Sequence, residues 1–487
     1  MKKHSLLLIL LFVSTFLMAQ NADDAVLYSQ TFYEGTARSN AMGNATGAMG
    51  GDFTATCINP AGLGIYRSDE LTFSTGFQHT KINSTYYNEQ HGGTEGQIFI
   101  PNFAMVFTAE CSNYKPLRYM QFALGMTRTN DLNFTREAHG FNPYSSRIDD
   151  YLQQLGDQGL DNPEGFLEKT YPFDIFPAWE TYLIDRYMDS LGNYYYSSPI
   201  PQGNLYQTDR LESSGRSEEW SMAFSANYFD KLFLGASVNS SHIKRVSTHK
   251  YIEETPGDDI PNWNSTEELK STGWSVNMKL GAIYFPCSWL RIGAAWHTRT
   301  FYTFDESYST ETEAISDHGY YRHGSGVSYY DYDFDAPNKA VGSLAFLIGQ
   351  HGMITTDFDY VDYRKGSFSS TVYDYDYVNA DIQDILRPSY NIRVGTEWRL
   401  RQYYLRGGAA YYGSPYGFGN AYGSAKKASI GIGYASGESI WDFCYELTRM
   451  QTGTYPYLYY EGDDLAVEEI LQHWMRNKFV VTWKVKF

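Results

Sequence analysis

The chain has 487 residues and a formal net charge of −18, and its mean hydropathy of −0.44 leaves no helix-length apolar run beyond the N-terminus. So acidic a chain, without a basic stripe, excludes nucleic acid as a partner, and four scattered cysteines without CxxC or Cys/His spacing exclude a disulfide scaffold and a structural zinc site. The 44 Tyr, 29 Phe, 10 Trp and 43 Gly against 16 Pro suit aromatic-rich β-structure rather than disorder.

The first element is a leader. Lys2 and Lys3 precede an apolar stretch from Leu6 to Met18 and a small residue, Ala19, which reads as a secretory signal spanning 1–19 with cleavage after Ala19. The apolar stretch is short for a membrane helix of about 20 residues.

Residues 20–69 follow, crowded with Gly and Ala and without period-2 order. GNATGAMGG, residues 43–51, is no phosphate loop, because no Lys-Ser/Thr follows and no strand-to-helix context surrounds it. Small residues allow close backbone packing, with Asn59-Pro60 setting a turn and Gly62 or Gly64 releasing it. A compact element of about 50 residues ahead of a barrel has one place to go, inside it.

From Glu70 the apolar and polar residues alternate segment after segment. Segments near 70–81 and 97–110 are joined by NSTYYNEQHGGTEG, and the short CSNYKPL leads to a third near 118–132. A large polar insertion over 133–217 comes next, then pairs of segments joined alternately by brief turns and long polar loops. That rhythm predicts a transmembrane antiparallel up-and-down β-barrel of about 14 strands over 70–487, short turns on the periplasmic side and large loops outside. Closure is demanded because an unpaired backbone edge cannot be left in hydrocarbon.

The alternation fixes the faces. In PSYNIRVGTEWRL, Tyr390, Ile392, Val394, Trp398 and Leu400 point to lipid and Asn391, Arg393, Gly395, Glu397 and Arg399 to the lumen; in LRIGAAWH, Leu290, Ile292 and Trp296 alternate with Arg291 and His297. A lipid-facing Arg or Lys would cost about 2–4 kcal/mol near the midplane. A soluble sandwich alternates too, but would rarely need so many arginines and glycines on its polar face. Inward charges should pair, Asp357 with Arg399 and Asp442 with Lys484 or Lys486, and Arg406 joins them on the inner face. The last segment, KFVVTWKVKF, puts Phe479, Val481, Trp483, Val485 and Phe487 on one face and Lys484 and Lys486 on the other.

Within the large loop, Phe166, Tyr171, Phe173, Phe176 and Trp179 form an aromatic, partly helical cluster that is either an apolar capture site or the loop's own small core, the latter being favoured for so long a loop. The Tyr/Asp alternations at 329–335 and 372–378 read as solvated strand extensions rather than calcium sites. His318 and His323 are the closest loop histidine pair and give weak support to haem or metal capture. No G-x-S-x-G, H-E-x-x-H or Ser/His/Asp constellation is visible, so neither catalytic residues nor a cofactor or metal is expected, and the protein is not an enzyme.

The run TARSNAMGNATGAMGGDFTATCINPAGLG resembles the N-terminal hatch of the FadL-type outer-membrane transporters of long-chain fatty acids and aromatic hydrocarbons, through Ala37, Arg38, Met42, Gly43, Ala45, Asp52, Asn59, Pro60, Ala61, Gly62 and Leu63. IPNFAMVF, LRIGAAWH and LRGGAAYYGSPYG are similar in flavour; the outsized second outward loop and Cys57 depart from the pattern. The terminal Phe487 likewise resembles the C-terminal aromatic signal read by the outer-membrane assembly machinery. The resemblance implies a monomeric barrel in the bacterial outer membrane, amid lipid and lipopolysaccharide. Its hatch would gate, with Asn59–Leu63, Arg38, Met42 and Gly43 at the gate, and a hydrophobic small-molecule substrate would leave sideways through the wall. The alternative is a surface-binding, adhesin-type barrel or a haemin-binding receptor with no transport.

Overall fold

The computed structural model describes residues 20–111, 116–156, 163–256, 262–316, 319–417, 422–462 and 464–487; the expected leader and His318 lie outside them. Fourteen antiparallel strands make a closed wall. In chain order they are β1 (Glu70–Tyr86), β2 (Glu89–Glu110), β3 (Leu117–Asp131, continued by Phe134–Asn142), β4 (Leu205–Tyr228), β5 (Leu232–Glu254), β6 (Asn262–Cys287) and β7 (Leu290–His297, continued by Thr300–Ser316). The second half comprises β8 (Ser328–Ala336, continued by Lys339–Ile348), β9 (Gly352–Asp362), β10 (Pro388–Leu400), β11 (Tyr403–Tyr412), β12 (Ala425–Ser436), β13 (Ser439–Thr454) and β14 (Ile470–Lys486). β14 closes on β1 from Glu70↔Lys486 to Thr85↔Leu471, which satisfies both edges.

The wall is inverted relative to a soluble protein. On β10 Ile392 is 47% exposed while its neighbour Arg393 is 3% exposed, and on β14 the contrast repeats between Trp483 and Lys484. The outward face carries a continuous band of such residues, among them Phe103, Met105, Leu124, Phe224, Met278, Ile292, Val394 and Phe443. Apolar rings outside and ion pairs inside are stable together only when the outside medium is hydrocarbon.

Three expectations need correction. NSTYYNEQHGGTEG is no loop: β1 and β2 run on as a ladder to Tyr86↔Glu89 and turn at Tyr87 and Asn88, both at positive φ as a two-residue hairpin turn requires. The insertion expected at 133–217 is narrower, since Phe134–Asn142 and Leu205–Tyr228 pair in the wall. Polar residues on both faces of these segments hid strands that rise out of the lipid. The stretch 372–378 is not a strand extension but leads into a helix, Asp376–Ile385, and buries Tyr375; 329–335 does lie on β8.

Residues 20–69 occupy the lumen as α1 (Ala22–Ser29), α2 (Ala37–Ala41), α3 (Phe53–Ile58) and a 3₁₀ turn over Pro60–Ile65. Asn21, Thr36, Asp52 and Asn59 cap them in turn, so four short polar side chains set four starts. Wall glycines make room for this plug. A Cβ on Gly408 would lie 2.2 Å from the Gly43 nitrogen, and one on Gly235 would lie 2.3 Å from the Pro60 carbonyl carbon. The four cysteines are free thiols.

Candidate functional site

The plug is bonded to the wall by charge. Arg38 on α2 donates from Nε and Nη2 to Glu397 at 2.8 and 2.9 Å, and Arg406 donates to the same carboxylate at 2.6 Å and to Asp442 at 2.7 Å. Asp442 lies 3.7 Å from Lys484, which bonds Asp52 of the plug at 2.7 Å. Asp357 accepts from the Thr46 and Gly47 amides and lies 3.4 Å from Arg393, not beside Arg399. Register decides this, because Asp357 stands directly opposite Arg393, whereas Arg399 sits exposed at the rim of β10 with its Nε on the Arg401 carbonyl. Arg291 donates to the Met49 carbonyl at 2.7 Å. Asn59 bonds Gly47 and Ala282 through its amide and caps Ala61 through its carbonyl, while Pro60, Gly62 and Leu63 are buried in the turn that follows. Met42 and Gly43 lie against Gly395 and Gly408.

One place in the wall departs from the regular ladder. β2 and β3 pair from Glu110↔Tyr119 to Asn102↔Thr127, and β3 then bulges between Arg128 and Asn130. Beyond the bulge β3 passes inside β2. Arg128 stacks on the Phe99 ring at 4.7 Å, and Asp131 meets Gln78 and Gln97 of β1 and β2. The carbonyls of Arg128 and Thr129, released from β2, accept from Glu34 and Phe32 of the plug, both at 2.9 Å. Asn130 bonds the plug backbone at Phe32 and Gln30. Plug backbone thus completes a strand edge that hydrocarbon would not tolerate open.

Beside this bend lies a cavity of about 170 Å³. Leu27, Phe32, Leu132, Phe134, Met450 and Trp474 supply its apolar walls. Its polar floor is ionic but neutralised, Glu446 lying between Lys427 at 3.1 Å and Lys478 at 2.9 Å, with Arg476 3.8 Å from Asp131. Sequence reasoning missed these residues. The signal was Asn130-Asp131 with Asn133, a polar break at the end of an otherwise apolar alternation.

A second, polar cavity of about 380 Å³ sits above the lipid band, under the loop helices α4 (Arg147–Leu155), α5 (Pro163–Thr170) and α6 (Ile175–Glu180). There His249 lies 2.7 Å from Asp209 and 3.6 Å from Glu267. Burial alone would depress the imidazolium, but the two carboxylates raise it to about 9. Asp209 and Glu267, which burial would push up, are held below the usual carboxylate range by Arg136 with His249 and by His249 with Arg147. Of the loop aromatics, Phe173 lines this cavity, whereas Phe166, Tyr171, Phe176 and Trp179 pack on the loop's own core of Leu167, Ile175 and Ala178. His323 packs on Phe176 and lies 4.0 Å from Glu180.

No family model and no curated protein matches the sequence. The architecture, however, has solved counterparts. A FadL homologue from Pseudomonas aeruginosa superposes with a TM-score of 0.59 at 12% identity, covering 94% of this chain and 99% of the other. The fold is that of the FadL-type barrels. The toluene transporter TodX of P. putida is similar with a TM-score of 0.52 at 15% identity, over 93% of this chain and 99% of that one. The Ralstonia pickettii toluene transporter TbuX reaches 0.50 at 15% identity, over 95% and 100%.

Proposed function

We propose that the protein is an outer-membrane channel through which apolar small molecules, fatty-acid-like or aromatic, cross passively, with the plug as gate and the bend in β3 as a lateral exit. The observation that carries this reading is the apolar cavity enclosed jointly by the plug, Leu27 to Glu34, and by the bent strand, Asn130 to Phe134. A molecule there gains about 0.8 kcal/mol per buried CH₂, so the path needs no covalent step, cofactor or energy source. Because the same plug backbone holds the Arg128 and Thr129 carbonyls, displacing it from below the cavity both opens the lumen and frees the wall. The structures that share the fold include two whose names are toluene transporters, which supports an apolar cargo.

Asn59–Leu63, Arg38, Met42 and Gly43 then act as the gate's seat, and the protein works as a monomer amid outer-membrane lipid. A surface-binding reading draws on one feature, the exposed hairpin Asp185–Met188 with Tyr194–Ser197, where Tyr187 and Tyr195 stack and Met188 projects into solvent. Uptake of labelled oleate and toluene by cells producing the wild type or a form lacking 36–64 separates the two. Gated transport predicts unequal uptake; equal background uptake by both supports surface binding alone.

A further inference from the structure

The outward face of the wall carries an electrostatic conflict just above the lipid band. On β4, β5 and β6 the band ends in Trp220, His242 and Trp274, with the imidazole and the Trp274 indole stacked at 4.2 Å. Trp at this height marks the boundary between hydrocarbon and headgroups. One step further out, Arg216 of β4 stands directly opposite Lys244 of β5, and Lys244 opposite Thr272 of β6, with Lys270 the next outward residue on that strand. All three cations face outward, in phase with Trp220 and Trp274.

Directly opposed residues on one sheet face hold their Cβ atoms about 4.5–5.5 Å apart, and like charges there are destabilising. Neighbouring acids relieve only part of this. Glu218 takes Arg216 at 2.8 Å and Glu268 takes Lys270 at 2.7 Å, while Lys244 has no ion-pair partner among the described residues. Asp305 of β7, opposite Thr272, closes the row on its far side. The three cations stay open to the surroundings; the Arg216 side chain is 62% exposed and that of Lys270 54%. Lys244, the one cation of the three without an acid of its own and set directly against Arg216 at headgroup height, fits an anion that the membrane itself supplies at that height, and Arg with Lys is a pairing that takes phosphate.

We infer that Arg216, Lys244 and Lys270 form a docking site on the outer wall for the phosphate of a phosphorylated lipid in the outer leaflet, such as a lipid A headgroup, with Trp220 and Trp274 against the acyl chains below it. The site rests on the membrane placement of the barrel and not on what passes through its lumen. It would hold one lipid beside β4–β6, away from the bend in β3.

The test uses the full mature chain in nanodiscs, with bound lipid read by native mass spectrometry. Bisphosphorylated lipid A and a chemically dephosphorylated form are offered at equal concentration, in 50 and 500 mM salt. Wild type should retain the phosphorylated form at least about tenfold better at low salt, and the preference should shrink at high salt. The variant carrying Arg216→Ser, Lys244→Ser and Lys270→Ser should lose the preference, Lys244→Arg should keep it, and millimolar inorganic phosphate should not compete. Equal retention of both lipids by wild type, or an unchanged preference in the triple variant, overturns the inference. Displacement by inorganic phosphate also overturns it, as an adventitious ion site. A triple variant that fails to fold leaves the decision to Lys244→Ser alone, which should lower the preference. Because lipid retention is read rather than uptake, a negative result here leaves the channel reading standing, and a loss of transport leaves this one standing.

Discussion

Arg38 Nε and Nη2 clasp the two oxygens of Glu397, tying the second plug helix to β10 through a pair of parallel bonds at 2.8 and 2.9 Å. Both partners are largely buried; Glu397 keeps Arg406 when Arg38 is removed, but removing the Glu397 charge leaves Arg38 without its carboxylate, at a cost of about 3–5 kcal/mol. Glu397→Gln should therefore loosen residues 36–52, seen as faster amide exchange there while the wall ladders keep their protection. Arg38→Met with Glu397→Met should recover part of that protection, since no cation of the plug is then left unpaired and Arg406, which also loses Glu397, keeps Asp442.

Gly408 tests how the plug seats. With Gly43 nitrogen 2.2 Å from where a Cβ would stand, backbone meets backbone and nothing flexible can yield. Gly408→Val should leave a closed, heat-modifiable barrel whose plug is cut by added protease within 36–64, where the wild type resists.

The cap above the membrane should answer to alkali. His249 is raised from its ordinary 6.5 to about 9, so its pairing with Asp209 and Glu267 contributes stability in full below about pH 6.5 and loses it as pH rises through about 9. Amide protection factors, corrected for the intrinsic pH dependence of exchange, should fall in Tyr206–Ser213 and Thr248–Glu254 between pH 7 and 10. His249→Gln should flatten that dependence.

The apolar cavity should set the flux. Met450→Asp places a carboxylate among Leu27, Phe32 and Trp474, where desolvation penalises it and a passing chain loses apolar contact. Oleate uptake should fall at least about tenfold with folding intact, whereas Met450→Ala should lower it by less.

Sequence carried the wall and little of the site. Period-2 alternation is imposed by lipid on one side, so Ile392 against Arg393 and Trp483 against Lys484 could be read directly. Above the band water wets both faces and the alternation fades, which is why the rising parts of β1 to β4 looked like loops. Asp357 found Arg393 and not Arg399 because pairing follows register across a sheet, and no single strand states its register. The helix at Asp376–Ile385 was masked by its Tyr/Asp repeat. The bend at Arg128–Asn133 is a tertiary event, since the plug backbone that satisfies Arg128 and Thr129 lies about 95 residues earlier in the chain. Asn59 and its turn, by contrast, were legible because a cap is written locally.

The most direct test takes Thr129, the extra residue of β3 in its ladder with β4, just past the point where the β2–β3 ladder ends at Asn102↔Thr127. Its removal should straighten β3 along β4, bring it back alongside β2 and seal the wall, with the cavity's aromatic side chains kept. Oleate and toluene uptake, measured in cells whose outer membranes hold equal amounts of heat-modifiable barrel, should drop to the level of cells without the protein. Undiminished uptake through the sealed wall would contradict lateral passage and, with it, the coupling of plug to exit.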